Sequence, residues 1–154
     1  MKTYQLVREQ FLPISINDAW DFFSTPDNLS KITPSDMNFQ IITKLGDSTI
    51  YPGMKIQYKV SPLFNIPMKW ITEIGAVNQP HNFTDMQLKG PYKLWEHTHT
   101  FVTVPGGVNM TDEVKYALPL GLLGNIAHAI FVKKRLKDIF NFRKKTLDNY
   151  FKNN

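Results

Sequence analysis

Residues 93–150 read KLWEHTHTFVTVPGGVNMTDEVKYALPLGLLGNIAHAIFVKKRLKDIFNFRKKTLDNY, and the hydrophobic period changes inside this stretch. Over 93–104 side chains alternate: Trp95, His97, His99 and Phe101 share one face, and Leu94, Glu96, Thr98, Thr100 and Val102 the other. Pro105-Gly106-Gly107 signals a turn. Over 108–118 the even positions Val108, Met110, Val114, Tyr116 and Leu118 are apolar, with Asp112 among them. After Pro119-Leu120-Gly121 the apolar groups Ile126, Ile130, Leu136, Ile139, Phe140 and Leu147 fall at helical spacing with no proline between them. That predicts one long helix of about 25 residues over 122–150. A long amphipathic helix needs an apolar surface to lie on, and a strongly curved sheet provides one.

Working backwards, the strand pattern extends to about residue 37. Strands are predicted at 39–42, 54–60, 67–77 and 82–89, with Pro52-Gly53 and Gly90-Pro91 as turns. The short connections imply an antiparallel meander. Residues 3–12 read as a first strand ended by Pro13. Ser15 caps a short helix carrying Trp20, Phe22 and Phe23, answered by Asp18 as in a capping box; Thr25-Pro26 starts a second, with Leu29 and Ile32 buried, that Pro34 ends. The expected architecture is α+β, a helix-grip fold. A curved antiparallel sheet wraps around a long C-terminal helix, and two short helices follow the first strand. One domain spans 1–154.

Eleven Phe, six Tyr and three Trp suit a large core or a ring-lined cavity, and the absence of cysteine excludes disulfides, thiolate metal sites and a cysteine nucleophile. No apolar leader and no run near 18 apolar residues is seen, so the expected location is cytoplasmic. The net charge of +5 is lopsided: residues 1–120 carry net −1 and 121–154 net +6. The basic run Lys133, Lys134, Arg135, Lys137, Arg143, Lys144, Lys145 reads as the outer face of the helix. It is either simply solvated or attracted to anionic lipid headgroups. No nucleic-acid motif accompanies it, and nucleic acid is not an expected partner.

Several segments together resemble bacterial ligand-binding SRPBCC proteins of the START-like (polyketide cyclase/birch-pollen-allergen-like) superfamily. They are residues 10–16 with Ala19-Trp20-Asp21-Phe22-Phe23, Tyr51-Pro52-Gly53-Met54, residues 67–74, Asp85-Met86-Gln87 and Gly90-Pro91-Tyr92. Residues 95–101, Met110-Thr111-Asp112 and Pro119-Leu120-Gly121 complete the set. The resemblance covers about 10–142. It implies a curved sheet gripping the C-terminal helix around a cavity. The superfamily includes lipid carriers, hormone and allergen-type binders, polyketide cyclases and ubiquinone-binding proteins, so fold alone does not assign function.

The chemistry-bearing residues gather on the last strands. Tight turns at 90–92 and 105–106 would set Asp85 opposite or diagonal to His97, Gln87 near Trp95, Phe101 by Met110 and His99 by Asp112. Two His/carboxylate neighbours, Asp85/His97 and His99/Asp112, then share the inner face. They could satisfy one another inside the sheet, orient the polar end of a ligand, or work as general acid and base. His97 and His99 could also face a metal, with Asp85 or Asp112 supplying oxygen, but no closed set of four ligands is evident, and neither metal nor cofactor is expected. His81 reads as a loop residue and His128 as helix packing.

The expected ligand-binding set is Trp70, Phe83, Asp85, Gln87, Trp95, His97, His99, Phe101, Met110, Asp112 and Tyr116, with Ile126 and Ile130 from the helix. The expected function is to carry or sequester a small hydrophobic molecule (lipid, quinone or polyketide-like). The alternative is a cyclase, dehydratase or hydrolase using the same cluster, and whether the chain is an enzyme stays open. The apolar loop 61–67 either packs under the sheet edge or lids the cavity through Phe64. Gly121 and Gly124 could let the helix junction move.

Overall fold

The chain's first reversal is set by Ser15. Its backbone is extended, and its Oγ accepts the Asp18 amide at 3.1 Å, capping α1 (Ile16–Phe23). α1 buries Ala19, Trp20 and Phe22. The second short helix is 3-10 rather than α: it runs Pro26–Ile32, and a further 3-10 turn, Ser35–Met37, follows Pro34. Proline at both ends leaves too few amides for an α-helix to propagate. The computed structural model describes residues 1–152.

Seven strands follow the predicted alternation: β1 (Tyr4–Leu12), β2 (Gln40–Ile41), β3 (Lys55–Val60), β4 (Met68–Asn78), β5 (Asn82–Lys89), β6 (Leu94–Val104) and β7 (Gly107–Ala117). They form one antiparallel sheet in the order β1-β7-β6-β5-β4-β3-β2. The meander therefore covers β2 to β7, and β1 returns to the far edge beside β7. The β4–β5 register breaks between Ile71 and Thr72 and again between Ile74 and Val77. Such bulges bend a strand and increase its twist, which curves the sheet. Gly75 lies in the second break, where a Cβ would come within 3.2 Å of the Met86 methyl group.

The C-terminal helix lies across the concave side, in three segments: α2 (Gly121–Ala127), a π-helical turn (His128–Val132) and α3 (Lys133–Lys152). α3 buries Leu136, Phe140, Arg143 and Leu147, one stripe at spacings of four, three and four. The π turn overturns one expectation. Each α-helical residue advances the chain by about 100°, and the wider turn absorbs roughly one residue's worth of that rotation. Upstream, Gly124 and His128 therefore face the sheet. Ile126 and Ile130, expected inside, are 49% and 58% exposed. Among the described residues no helix is long and apolar enough to cross a membrane.

Candidate functional site

Between the sheet and α3 lies a cavity of about 190 Å³. Its walls are largely apolar: Ile56, Tyr58 and Val60 from β3, Trp70 and Ile74 from β4, and Leu136, Ile139 and Phe140 from α3. The 3-10 helix adds Leu29 and Ile32. A carboxyl, two imidazoles and a guanidinium interrupt this lining together, from Asp85, His97, His99 and Arg143; Thr25, Asn28, Thr33 and Thr72 line it as well.

The strand registers place them. Asp85 lies opposite His97, and His99 opposite Asp112, as the turns predicted. The hydrogen bonds, however, run diagonally. His97 Nε2 bonds Asp112 Oδ1 at 2.8 Å, and His99 Nε2 bonds Asp85 Oδ2 at 2.9 Å. The direct pairs are longer: His97 Nδ1 is 3.9 Å from Asp85 Oδ2, and His99 Nδ1 is 3.2 Å from Asp112 Oδ1. The last contact is short but poorly directed, and His99 Nδ1 has no hydrogen-bond partner. Arg143 reaches in from α3 and donates from Nη2 to Asp112 Oδ1 at 3.1 Å, while its Nε finds no partner. Its guanidinium rests over the rings of Phe23 and Phe140, 5.5 and 5.8 Å away. Phe83 stacks on His99 with centroids 4.2 Å apart.

Burial on its own would raise both carboxyl pKa values, but their partners outweigh it. Arg143 and the two imidazoles hold Asp112 well below the ordinary carboxylate value. The His99 hydrogen bond and the neighbouring positive charges lower Asp85 as well. The imidazoles part company. Burial, then the His99 charge, lowers His97 despite its two carboxylate neighbours. Burial also disfavours charge on His99, yet Asp112 and Asp85 together raise it. The cluster thus favours a proton on His99 over one on His97. Tyr58, on the cavity wall, is kept neutral by burial and by the Asp85 charge.

Of the residues predicted to line a site, Trp70, Phe83, Asp85, Trp95, His97 and His99 stand on the cavity wall. The others lie elsewhere, each for a definite reason. Phe101 and Met110, each 1% exposed, are locked in the core with Trp20, Leu12 and Leu147. Asp112 lies behind the two imidazoles, on the Arg143 side. The Tyr116 hydroxyl is 2.7 Å from His128 Nε2, and that ring is stacked by Tyr4. Gln87 turns back to close the β5–β6 connection, donating to the Tyr92 carbonyl and accepting the Tyr92 amide. Ile126 and Ile130 face outward.

Two arginines of the basic run also depart from expectation. Arg143 is 6% exposed and belongs to the cluster. Arg135 pairs with Asp36 and the Pro62 carbonyl. The signal for Arg143 was present: 136, 140, 143 and 147 form one helical stripe. The 61–67 loop does meet the helix, since the Phe64 and Phe131 rings lie 5.1 Å apart, while Phe64 remains 64% exposed.

No family model and no curated protein matches the sequence. Solved structures do match its shape. The major latex-like protein 151 of Panax ginseng superposes with a TM-score of 0.69 at 15% identity, over 97% of each chain. A point mutant of Thalictrum norcoclaurine synthase, in complex with a transition-state analogue, gives 0.66 at 16% identity, over 97% of this chain and 96% of that one. Protein Ms6760 of Mycobacterium smegmatis gives 0.65 at 16% identity, over 97% of this chain and 98% of that one. Identities this low speak to fold alone. In fold, the chain is similar to these proteins: a curved antiparallel sheet grips a long C-terminal helix, the helix-grip arrangement.

Proposed function

We propose that the chain binds one small, mostly apolar molecule in the cavity between sheet and α3, as a carrier or sequestering protein. One observation carries this reading: a largely apolar space of about 190 Å³ has its carboxyl, imidazole and guanidinium groups, from Asp85, His97, His99 and Arg143, gathered in one cluster. A mostly apolar pocket with a few convergent polar groups is the usual small-molecule site. A cavity of 150 Å³ holds benzene. The space here suits a compact ring of roughly eight non-hydrogen atoms, such as a quinone head or the ring of a small polyketide, better than a two-chain lipid. Such a molecule would set its ring against Trp70 and Trp95 and its polar end toward Asp85 and His97. A cytoplasmic carrier is the setting this reading assumes.

An enzymatic reading draws on one feature. His97 Nδ1 makes no hydrogen bond, so an imidazole nitrogen is available to a bound molecule. The fold also hosts norcoclaurine synthase. Contact with anionic membrane would be transient. It draws on Leu122, Leu123, Ile126 and Ile130, exposed beside Lys133, Lys134 and Lys137.

The test is native mass spectrometry of protein purified without detergent, followed by solvent extraction and a titration with small aromatic probes read by tryptophan fluorescence. Stoichiometric binding of a ring compound, abolished by filling the cavity with Val60→Phe, supports the reading. No co-purified molecule and no saturable probe binding would sink it.

A further inference from the structure

The polar cluster contains a three-donor set that sequence spacing suggested only in outline. One donor atom from each of Asp85, His97 and His99 lies within 4.8 Å of the other two. The atoms can be named. His97 commits Nε2 to Asp112, which leaves Nδ1, 3.9 Å from Asp85 Oδ2. His99 presents Nε2 to the same Oδ2 at 2.9 Å. A cation about 2.1 Å from each of its ligands needs those ligands roughly 3.0–3.4 Å apart. The two distances stand on either side of that span, so small rotations about the side-chain torsions would close the set.

We propose that Asp85, His97 and His99 form a binding site for a divalent first-row transition-metal ion, zinc(II) or iron(II), whose remaining positions open on the cavity. Two imidazoles and one carboxylate are the donor set of catalytic zinc and non-haem iron sites, whereas magnesium and calcium take oxygen-only sets. Sequence spacing argued against a metal because four protein ligands were sought. Three suffice where the cavity supplies the rest.

The surroundings fit the ion independently of the donors. Metal-bound histidines hold their second nitrogen against a carboxylate, which fixes the ring and its tautomer. Asp112 does this for His97 from behind, at 2.8 Å from Nε2, and stands 3.2 Å from His99 Nδ1. His99 Nδ1, now without a hydrogen bond, would gain Asp112 as acceptor once its Nε2 turned to a cation. Arg143 neutralises Asp112 rather than Asp85. The one carboxylate left to offset the cation's charge is therefore the one that would ligate it. Asp85 is also the most accessible of the four groups, with 19% of its side chain exposed against 8% for each histidine and 4% for Asp112. The site does not depend on which organic ligand, if any, enters the cavity.

The experiment uses the whole chain, stripped with chelator and titrated with cobalt(II), whose visible d–d bands report coordination, then with zinc(II). One cobalt per chain, displaced by one zinc, is expected. His99→Ala and Asp85→Asn should each weaken binding by more than 100-fold. Asp112→Asn should weaken it about 10- to 100-fold. His81→Ala, away from the cluster, should leave it unchanged. Should a cluster variant fail to fold, proton NMR of the wild-type cobalt form decides, with paramagnetically shifted ring signals expected from two histidines, neither of them His81 or His128. The proposal is overturned by no stoichiometric uptake at micromolar metal, or by binding that His99→Ala and Asp85→Asn leave intact.

Discussion

Replacing Arg143 by Met tests the centre of the polar cluster. Met keeps most of the side chain's length and its contact with Phe23 and Phe140, so little apolar packing is lost. What disappears is the Nη2–Asp112 bond of 3.1 Å, between groups 6% and 3% exposed. Removing one partner of a buried ion pair leaves the other uncompensated and costs about 3–5 kcal/mol. For a chain of this size that corresponds to a fall in Tm of about 6–20 °C. Urea unfolding at neutral pH measures it directly. The double variant Arg143→Met/Asp112→Asn should be destabilised less than the sum of the single changes, by about 1–3 kcal/mol, because the stranded charge has gone. The acid limb provides a second readout. Arg143 is the leading charge that lowers Asp112, so its loss should move that carboxyl upward and bring acid destabilisation in at higher pH. A cost below about 1 kcal/mol, or strict additivity in the double variant, would refute the compensation of Asp112 by this guanidinium.

Other expectations follow from the same structure. Leu147→Ala, at a site with no exposure, should cost about 2–5 kcal/mol in urea unfolding, whereas Leu122→Ala, 75% exposed, should stay within about 0.5 kcal/mol. Asp112 has a depressed pKa in the folded state, so its stabilisation is fully present above the ordinary value of 3.8 and is lost as pH falls through the depressed one. Stability–pH curves should lose this acid limb in Asp112→Asn. The two histidines should separate in ring-selective NMR, His99 titrating above the ordinary 6.5 and His97 below it; coincident midpoints would contradict the opposite environments described for them. Leu123→Asp should reduce sedimentation with anionic vesicles while leaving zwitterionic vesicles unaffected, and added salt should weaken the wild-type interaction.

Much of the sheet was legible because proline and glycine punctuate strands of clean alternation. The two-residue turn at Pro105-Gly106 fixed the β6–β7 register, and with it His99 opposite Asp112 and Phe101 opposite Met110. Which groups bond was not legible. Opposite residues are set by turn length, but diagonal neighbours come within reach of long side chains only through strand twist, and here the diagonals hold the short contacts. Arg143 was readable from its place on the 136–147 stripe, but its charge suggested the solvated face. Ile126 and Ile130 could not be placed, because a wide turn shifts helical phase without changing the local apolar pattern. Phe101, Met110 and Tyr116 do point inward as their alternation required. Whether an inward residue meets core or cavity depends on how closely α1 and α3 approach, which strand periodicity does not contain.

The π turn at 128–132 also bears on how the helix could change in length. Losing a single residue there, Ala129 for example, would restore ordinary helical winding through the segment. Ile126 and Leu122 would stay on the outer flank and His128 against Tyr116 and Tyr4, because the residue lost and the rotation the wide turn absorbed cancel. One in-frame codon can thus be lost at this turn without re-phasing the helix and without any substitution in the cluster that holds Asp85, His97 and His99. The π turn is therefore a point where the helix can shorten by one residue while its outer face and its interior chemistry both stay as they are.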